Sequence, residues 1–343
     1  MVARDRAWCQ HRARPCHRTG SLDEAINYAV VHHLGNVISN SWGSPEALSN
    51  PATLNRVNRI LQMAAAQGID VNFSSGDIGD FSPALGSATV SFPASSPFAT
   101  GIGGTSLALN PDNTLAFQTG WGTNLTQIAA PAAGSPPVVP PLKVLGSGFN
   151  PNFFLGFQFG AGGGASGVFA RPSFQSSLSA PGNTRLVPDI GWLADPFTGV
   201  EFIMTDPTSG QLSVGTVGGT SLACPMFSAI MAIASEKAGH GLGQAAQSLY
   251  SLPAGAVTDI TGPSSANNVT GLIDGSPISA DALASPLGST TSDFSALYNS
   301  PFSTSWFVIT FGTDTSLTTG SGWDNVTGVG TPNGLSFISG ITQ

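Results

Sequence analysis

Helix and strand patterns alternate along this 343-residue chain, and this alternation limits its fold more than any other feature. Apolar residues at helical spacing predict a helix over 21–34, and a short strand follows over 36–40. A second helix is predicted over 51–67 and a second strand over 69–73. The order predicts an α/β fold with a doubly wound, mostly parallel sheet and helices on both faces. Ligand sites of such sheets lie beyond the carboxyl ends of the strands.

Charge and apolar patterning argue against nucleic acid as a partner and against a transmembrane helix. Eleven Lys and Arg against nineteen Asp and Glu give a net charge of −8, which argues against a surface for nucleic acid. No run of about 18 apolar residues is present, so no transmembrane helix is expected.

Residues 1–20 differ in composition from the rest of the chain. Five of the eleven basic residues and two of the three cysteines lie there, without the apolar stretch of a secretory signal. We expect an unrelated basic leader over 1–20 and one domain over 21–343. A segment rich in Pro and Gly near 130–165 is expected to be an inserted surface loop, with a substrate-binding flap as the alternative.

The sequence GGTSLACP at 218–225 places Ser221 at the start of an apolar helix that is predicted to end near residue 238. The amino end of a helix carries unpaired N–H groups and positive partial charge. Both would stabilise an oxyanion formed when Ser221 attacks a carbonyl group. The residues alone leave open that Ser221 only caps the helix.

This motif resembles the nucleophile motif that subtilisins share with sedolisins, the serine-carboxyl peptidases. The His-Gly-Thr motif of subtilisins is absent, whereas SSGDIG at 74–79 is similar to the sedolisin segment whose aspartate donates to the oxyanion. The resemblance implies a subtilisin-like fold and an acid-acting serine endopeptidase with Ser221 as nucleophile and Asp77 as oxyanion donor. An ordinary turn after a strand is the alternative for Asp77. The resemblance also implies polypeptide substrates, a monomer and an extracellular location, although the chain shows no signal peptide.

Two further sequences, VTDITG at 257–262 and GSGWDNVTGVGTPNG at 320–334, resemble the sedolisin calcium site. Calcium takes hard oxygen ligands in a flexible arrangement. The alternative is two aspartate turns that never meet. By the resemblance, one calcium ion would be held in C-terminal loops by the carboxylates of Asp259 and Asp324 and the backbone carbonyls of Ile260, Gly320 and Gly322.

Two segments match the lining of the sedolisin substrate cleft: SWG at 41–43 and Gly-Gly-Gly-x-Ser at 162–166. The match implies substrate contacts by Trp42, Gly43 and Gly163.

The carboxylate pair that activates the sedolisin serine has no counterpart in this chain. In the family, Glu and Asp lie four residues apart on one helix and relay the serine proton, but no Glu-x-x-x-Asp occurs here. The family's prosegment is missing as well. We therefore expect an incomplete sedolisin-like domain with impaired activity. The alternatives are a catalytically dead fragment, a peptide-binding pseudo-peptidase stabilised by calcium, and a secreted all-β adhesin or structural domain. The helical periodicity argues against the all-β alternative.

Overall fold

The computed structural model describes residues 22–129, 144–146, 156–262, 270–272, 294–299, 306–312 and 314–343, so the expected leader lies outside it. The α-helices in these ranges are α1 (Leu22–Val31), α2 (Pro51–Ala66), α3 (Ser82–Leu85), α4 (Thr220–Ala238), α5 (Ala245–Leu249) and α6 (Gly334–Ile341). The strands are β1 (Val37–Asn40), β2 (Ser44–Pro45), β3 (Asp70–Ser74), β4 (Ser91–Phe92), β5 (Thr100–Leu109), β6 (Leu115–Gly120), β7 (Gly122–Ile128), β8 (Val144–Gly146), β9 (Gly156–Gly160), β10 (Gly164–Ala170), β11 (Thr184–Val187), β12 (Ile190–Leu193), β13 (Val200–Thr205), β14 (Leu212–Val217), β15 (Val257–Thr258), β16 (Thr270–Leu272), β17 (Phe294–Asn299), β18 (Trp306–Phe311) and β19 (Thr331–Pro332). Short 3-10 turns cover Glu46–Leu48 and Ser173–Gln175. None of the described helices is long and apolar enough to cross a membrane.

A five-stranded sheet forms the centre of the fold. Its strands follow the order β1-β3-β5-β12 with all neighbours parallel, and β6 pairs with β5 in the antiparallel direction. The predicted strands over 36–40 and 69–73 occur as β1 and β3, each within one residue of the expected ends. The mostly parallel sheet predicted from the sequence is therefore confirmed.

Helices cover both faces of this sheet, as the side chains of β3 show. Val71 and Phe73 are fully buried in one cluster with the apolar residues of α1 and α2. Asn72 faces the other way, because its Nδ2 donates to Ser228 Oγ of α4 at 3.0 Å. Successive residues of a strand face opposite sides, so α2 and α4 lie on opposite faces of the sheet. These helices show that the all-β alternative is wrong.

A second, largely antiparallel sheet was not predicted. Its order is β16-β17-β18-β7-β8, with β9 beside β7. Within the segment 130–165, which was expected to be an inserted loop, residues 144–146 and 156–160 form β8 and β9, and both pair with β7. These two stretches thus belong to the sheet, whereas residues 164–165 begin β10, which pairs with β11. Residues 130–143 and 147–155 lie outside the described residues.

Candidate active site

Helix α4 presents Ser221 at its amino end. Gly219 precedes the helix with φ +94° and ψ 155°, a conformation that favours glycine, and its N–H donates to Ala194 O at 2.5 Å. The first turns of α4 are anchored because Ala223 and Phe227 are fully buried. Ser221 itself is exposed, and no described residue hydrogen-bonds its Oγ or its N–H. Both groups are therefore open to a ligand.

Asp77 reaches the same helix end from the loop that follows β3. Its Oδ1 accepts hydrogen bonds from the backbone N–H and from the Oγ1 of Thr220, each at 2.7 Å. Its Oδ2 makes no hydrogen bond to a described residue. This side of the carboxyl lies beside Gly219, where an added methyl group would come within 2.8 Å of Oδ2. One oxygen of Asp77 is thus held by Thr220, which directly precedes Ser221, and the other has no hydrogen-bond partner among the described residues.

The segment expected to contact substrate through Trp42 and Gly43 also touches the start of α4. Ser41 Oγ donates to the backbone oxygen of Ser221 at 2.9 Å. Trp42 packs edge-on against Phe73, with ring centroids 5.3 Å apart, and Gly43 packs against β4. The structure therefore places this segment at the candidate nucleophile.

The glycine segment at 162–166 lies against the Asp77 loop. Gly162 N donates to Gly76 O at 2.9 Å. Gly163 packs so tightly against the carbonyl oxygen of Asn325 that an added methyl group would overlap it. The backbone at Gly163 therefore has little room for any side chain.

Thr220 and Glu46 hold these segments together, although neither stands out as functional in the sequence. Thr220 carries both hydrogen bonds to Asp77. Glu46 is only 3% exposed, and its carboxylate accepts from Ser166 Oγ at 2.8 and 3.0 Å and from Gly167 N at 2.7 Å. Only their positions in the sequence mark these two residues. Thr220 directly precedes Ser221, and Glu46 is the last residue of SNSWGSPE at 39–46.

The two segments expected to bind calcium meet in the structure. Asp259 Oδ2 accepts from Gly322 N at 2.9 Å and from Ser321 Oγ at 3.3 Å. Asp324 Oδ2 faces Gly320 N at 3.4 Å. Burial raises the pKa of Asp324 to about 6, although hydrogen bonds from Val326 and Thr327 lower it. Both carboxylates thus flank the backbone of residues 320–322.

No described side chain forms a hydrogen bond to Ser221 Oγ in this structure. The histidines of the described ranges lie elsewhere on the surface. His33 Nε2 lies 3.2 Å from Asn36 Oδ1, and His240 Nδ1 lies 2.9 Å from Gly241 O. Neither of these histidines hydrogen-bonds Ser221.

The parallel sheet with a serine at the amino end of α4 and a carboxyl beside it defines a subtilisin-like α/β protein. The sequence model of the subtilase family matches residues 14–252. Kumamolisin of Bacillus sp. (strain MN-32) is 31% identical over 237 residues, which cover 67% of this chain and 36% of that protein. Sedolisin of Pseudomonas sp. (strain 101) is 32% identical over 237 residues, which cover 67% of this chain and 35% of that protein.

A solved structure of a sedolisin also matches this chain. Pseudomonas sedolisin, a serine-carboxyl proteinase complexed with two molecules of pseudo-iodotyrostatin, matches with a TM-score of 0.62 at 25% identity. The match covers 94% of this chain and 69% of that chain. The chain belongs to the subtilase family and, within it, to the sedolisins. It spans about one third of the length of the two curated relatives.

Proposed function

We propose that this chain is a sedolisin-type serine peptidase domain that acts on polypeptides in acid outside the cell. Ser221 is the nucleophile and Asp77 the oxyanion donor. The observation that carries the proposal is the pair of hydrogen bonds from Thr220 to Asp77 Oδ1, each 2.7 Å long. They fix a carboxyl group at the amino end of α4, next to a serine whose Oγ and N–H are free.

In the proposed reaction, Ser221 Oγ attacks the carbonyl carbon of a peptide bond and forms a tetrahedral intermediate. The negative charge develops on the former carbonyl oxygen, where the Ser221 N–H and the end of the helix stabilise it. In acid, Asp77 donates a second hydrogen bond from a protonated Oδ2, because Oδ1 is already held by Thr220. The Ser221 proton passes to water, and collapse of the intermediate expels the amine, which takes up a proton from water, and leaves an acyl group on Ser221. A second water molecule then hydrolyses the acyl group and restores the Ser221 hydroxyl.

We further propose that this chain catalyses the reaction slowly. No described side chain accepts a hydrogen bond from Ser221 Oγ, and a serine peptidase without its base keeps only the contribution of the oxyanion site and of substrate binding. The same observation favours a second candidate function, a domain that binds peptides without cleaving them. Peptide affinity without cleavage would support this second function.

The proposal predicts that the purified chain cleaves an unfolded protein at pH 4 at a trace rate, and that Ser221→Ala abolishes this cleavage. Fragments are measured by mass spectrometry at pH 4 and pH 7. A peptide aldehyde, which forms a reversible bond to a nucleophilic serine, should bind the original chain and not Ser221→Ala. Cleavage that persists in Ser221→Ala would contradict the assignment of the nucleophile. Rapid turnover would show instead that a base is present.

We propose one structural calcium ion at the loops around residues 259–260 and 320–324. The donors fit calcium, since two carboxylates and the carbonyls of Ile260, Gly320 and Gly322 are all hard oxygen ligands. The described residues contain no group of three or more His, Cys, Asp and Glu side chains placed to hold a metal ion. Backbone carbonyls and water would therefore complete the six to eight ligands that calcium takes.

Asp324→Ala should remove the stabilisation by calcium. Calcium at about a hundredfold excess over its dissociation constant should raise the free energy of unfolding of the original chain by about 2.7 kcal/mol. Urea unfolding with calcium and with chelator measures this difference. Asp112→Ala, a change at an exposed turn, should keep the response to calcium. An equal response in Asp324→Ala would contradict the site.

A further inference from the structure

Asp314 places a buried carboxyl group against the loop that carries Asp77. Its Oδ1 accepts hydrogen bonds from the N–H of Thr315 at 2.6 Å and from the Oγ1 of Thr315 at 3.2 Å. Its Oδ2 is buried and has no hydrogen-bond partner among the described residues. A methyl group added at Gly79 or Gly160 would overlap this carboxyl, so the group lies directly on the backbone of both residues.

Gly79 and Gly160 are part of the backbone that holds Asp77. Gly160 N donates to the backbone oxygen of Asp77 at 3.1 Å, and Gly79 N donates to Gly160 O at 3.0 Å. These two hydrogen bonds connect the end of β9 to the Asp77 loop. Any movement of Asp314 that displaces Gly79 or Gly160 therefore also changes the position of Asp77.

A second carboxylate, Asp80, lies at the end of the same loop. Burial raises the pKa of Asp80, but hydrogen bonds from Ser316 and Ser82 outweigh this effect and hold the pKa below its usual range. Asp80 is therefore charged at neutral pH. Within the described residues, Asp80 is the titratable group whose charge acts on Asp314.

The surroundings of Asp314 favour its neutral form. Burial raises the pKa of Asp314 to about 7, the hydrogen bonds from Thr315 oppose this shift, and the charge of Asp80 adds to it. No described Lys or Arg forms an ion pair with Asp314. A charged Asp314 would therefore be a buried anion beside a second anion. Its carboxylate becomes hydrated only if the side chain moves away from Gly79 and Gly160.

We propose that Asp314 is a positioning residue for Asp77: as a neutral carboxyl it keeps residues 77–80 in place in acid, and as an anion near neutral pH it releases them. The proton that distinguishes the two states lies on Oδ2 and passes to solvent. The consequence for catalysis rests on the proposed role of Asp77. The movement of the loop does not depend on that role and is tested without any activity measurement.

Hydrogen exchange read by mass spectrometry tests the proposal on the whole chain between pH 4.5 and pH 7.5, after correction for intrinsic exchange rates. The peptides of interest cover 73–81 and 156–162. Asp314→Asn has the shape of the neutral acid and cannot ionise, and Asp112→Asn is the control at an exposed turn. At pH 4.5 all three proteins should protect both peptides equally. At pH 7.5 the original chain and Asp112→Asn should exchange about tenfold faster than Asp314→Asn.

Two further measurements keep the test decisive. Asp314→Asn should melt about 5 °C above the original chain at pH 7.5 and at the same temperature at pH 4.5. If this variant does not fold, Asp80→Asn replaces it, since removing the neighbouring charge should reduce the faster exchange at pH 7.5. Equal pH dependence in the original chain and Asp314→Asn would overturn the proposal, as would constant protection in the original chain. If hydrogen exchange behaves as expected but the chain shows no Ser221-dependent cleavage, only the proposed function is contradicted.

Discussion

Replacing Arg185 by alanine should lower the free energy of unfolding by about 3–5 kcal/mol, because the change leaves a buried carboxylate without its counter-charge. The side chains of Arg185 and Asp189 are both 0% exposed. Arg185 Nη1 donates to Asp189 Oδ1 at 2.7 Å, and Nη2 donates to Oδ2 at 2.5 Å. The pair therefore has the bidentate geometry in which both oxygens are held.

The loss should be global, because Asp189 connects several elements of the core. Its Oδ2 accepts from Gly101 N of β5 at 2.7 Å, and its Oδ1 accepts from the hydroxyl of Tyr250 at 2.7 Å. Tyr250 directly follows α5, and Asp189 directly precedes β12. An unpaired charge at Asp189 thus disturbs two neighbouring strands of the central sheet and a helix at once.

Urea unfolding of three variants measures this effect. Arg185→Lys keeps the charge but not the forked geometry, so its loss should lie between those of the original chain and Arg185→Ala. Arg59→Ala is the control, since Arg59 is exposed on α2 and forms no ion pair with a described residue, and its effect should stay within about 0.5 kcal/mol. A loss below about 1 kcal/mol in Arg185→Ala would contradict the prediction.

Local patterns in the sequence predicted the elements whose signals are themselves local. The helix expected over 51–67 occurs as α2, where Asn50 accepts from Thr53 N at 2.9 Å and Pro51 takes the first position. The helix that follows Ser221 begins one residue earlier than expected and ends at Ala238. Cap residues, Pro at a first turn and apolar spacing all act within a few residues, so the sequence shows them directly.

Local patterns cannot predict contacts between residues that lie far apart in the sequence. Thr220 and Asp77 are separated by 143 residues, and no local rule pairs them. The pairing of Leu125 with Ile309 in the second sheet is equally non-local. The resemblance to sedolisins supplied Asp77, but it supplied neither Thr220 nor the buried pair of Arg185 and Asp189. Each of these residues acquires its role only when the fold removes it from water and brings it to its partner.

The chain should be most stable near pH 4 and lose several kcal/mol of its free energy of unfolding by pH 7. Burial raises the pKa of Asp70 from 3.8 to about 6, against hydrogen bonds from the Ala245 N–H, Asn72 and Thr100. Burial also raises the pKa of Asp195, against hydrogen bonds from neighbouring hydroxyl groups. These carboxyls are fully buried and have no described cation beside them.

The directions of these pKa shifts determine how the stability of the fold depends on pH. Because the folded chain holds these protons to a higher pH than the unfolded chain, they stabilise the fold in acid. The contribution of Asp70 is complete below about pH 4 and is lost as the pH rises through about 6. For Asp70 alone the loss is about 3 kcal/mol, since each pKa unit corresponds to about 1.4 kcal/mol. Asp80 acts in the opposite direction: its pKa is lowered, so its contribution is lost when the pH falls below about 4.

Urea unfolding between pH 3 and pH 8, with chelator and at constant ionic strength, measures this profile without any contribution from calcium. Asp70→Asn should flatten the decrease between pH 4 and pH 6, because the amide does not titrate. Asp206→Asn, a change at an exposed turn, should keep the decrease. Stability that stays constant or rises from pH 4 to pH 7 would mean that the buried carboxyls are charged in the folded chain. A decrease would make acid the range in which this fold is most stable, in agreement with the acid-acting peptidase proposed for this chain.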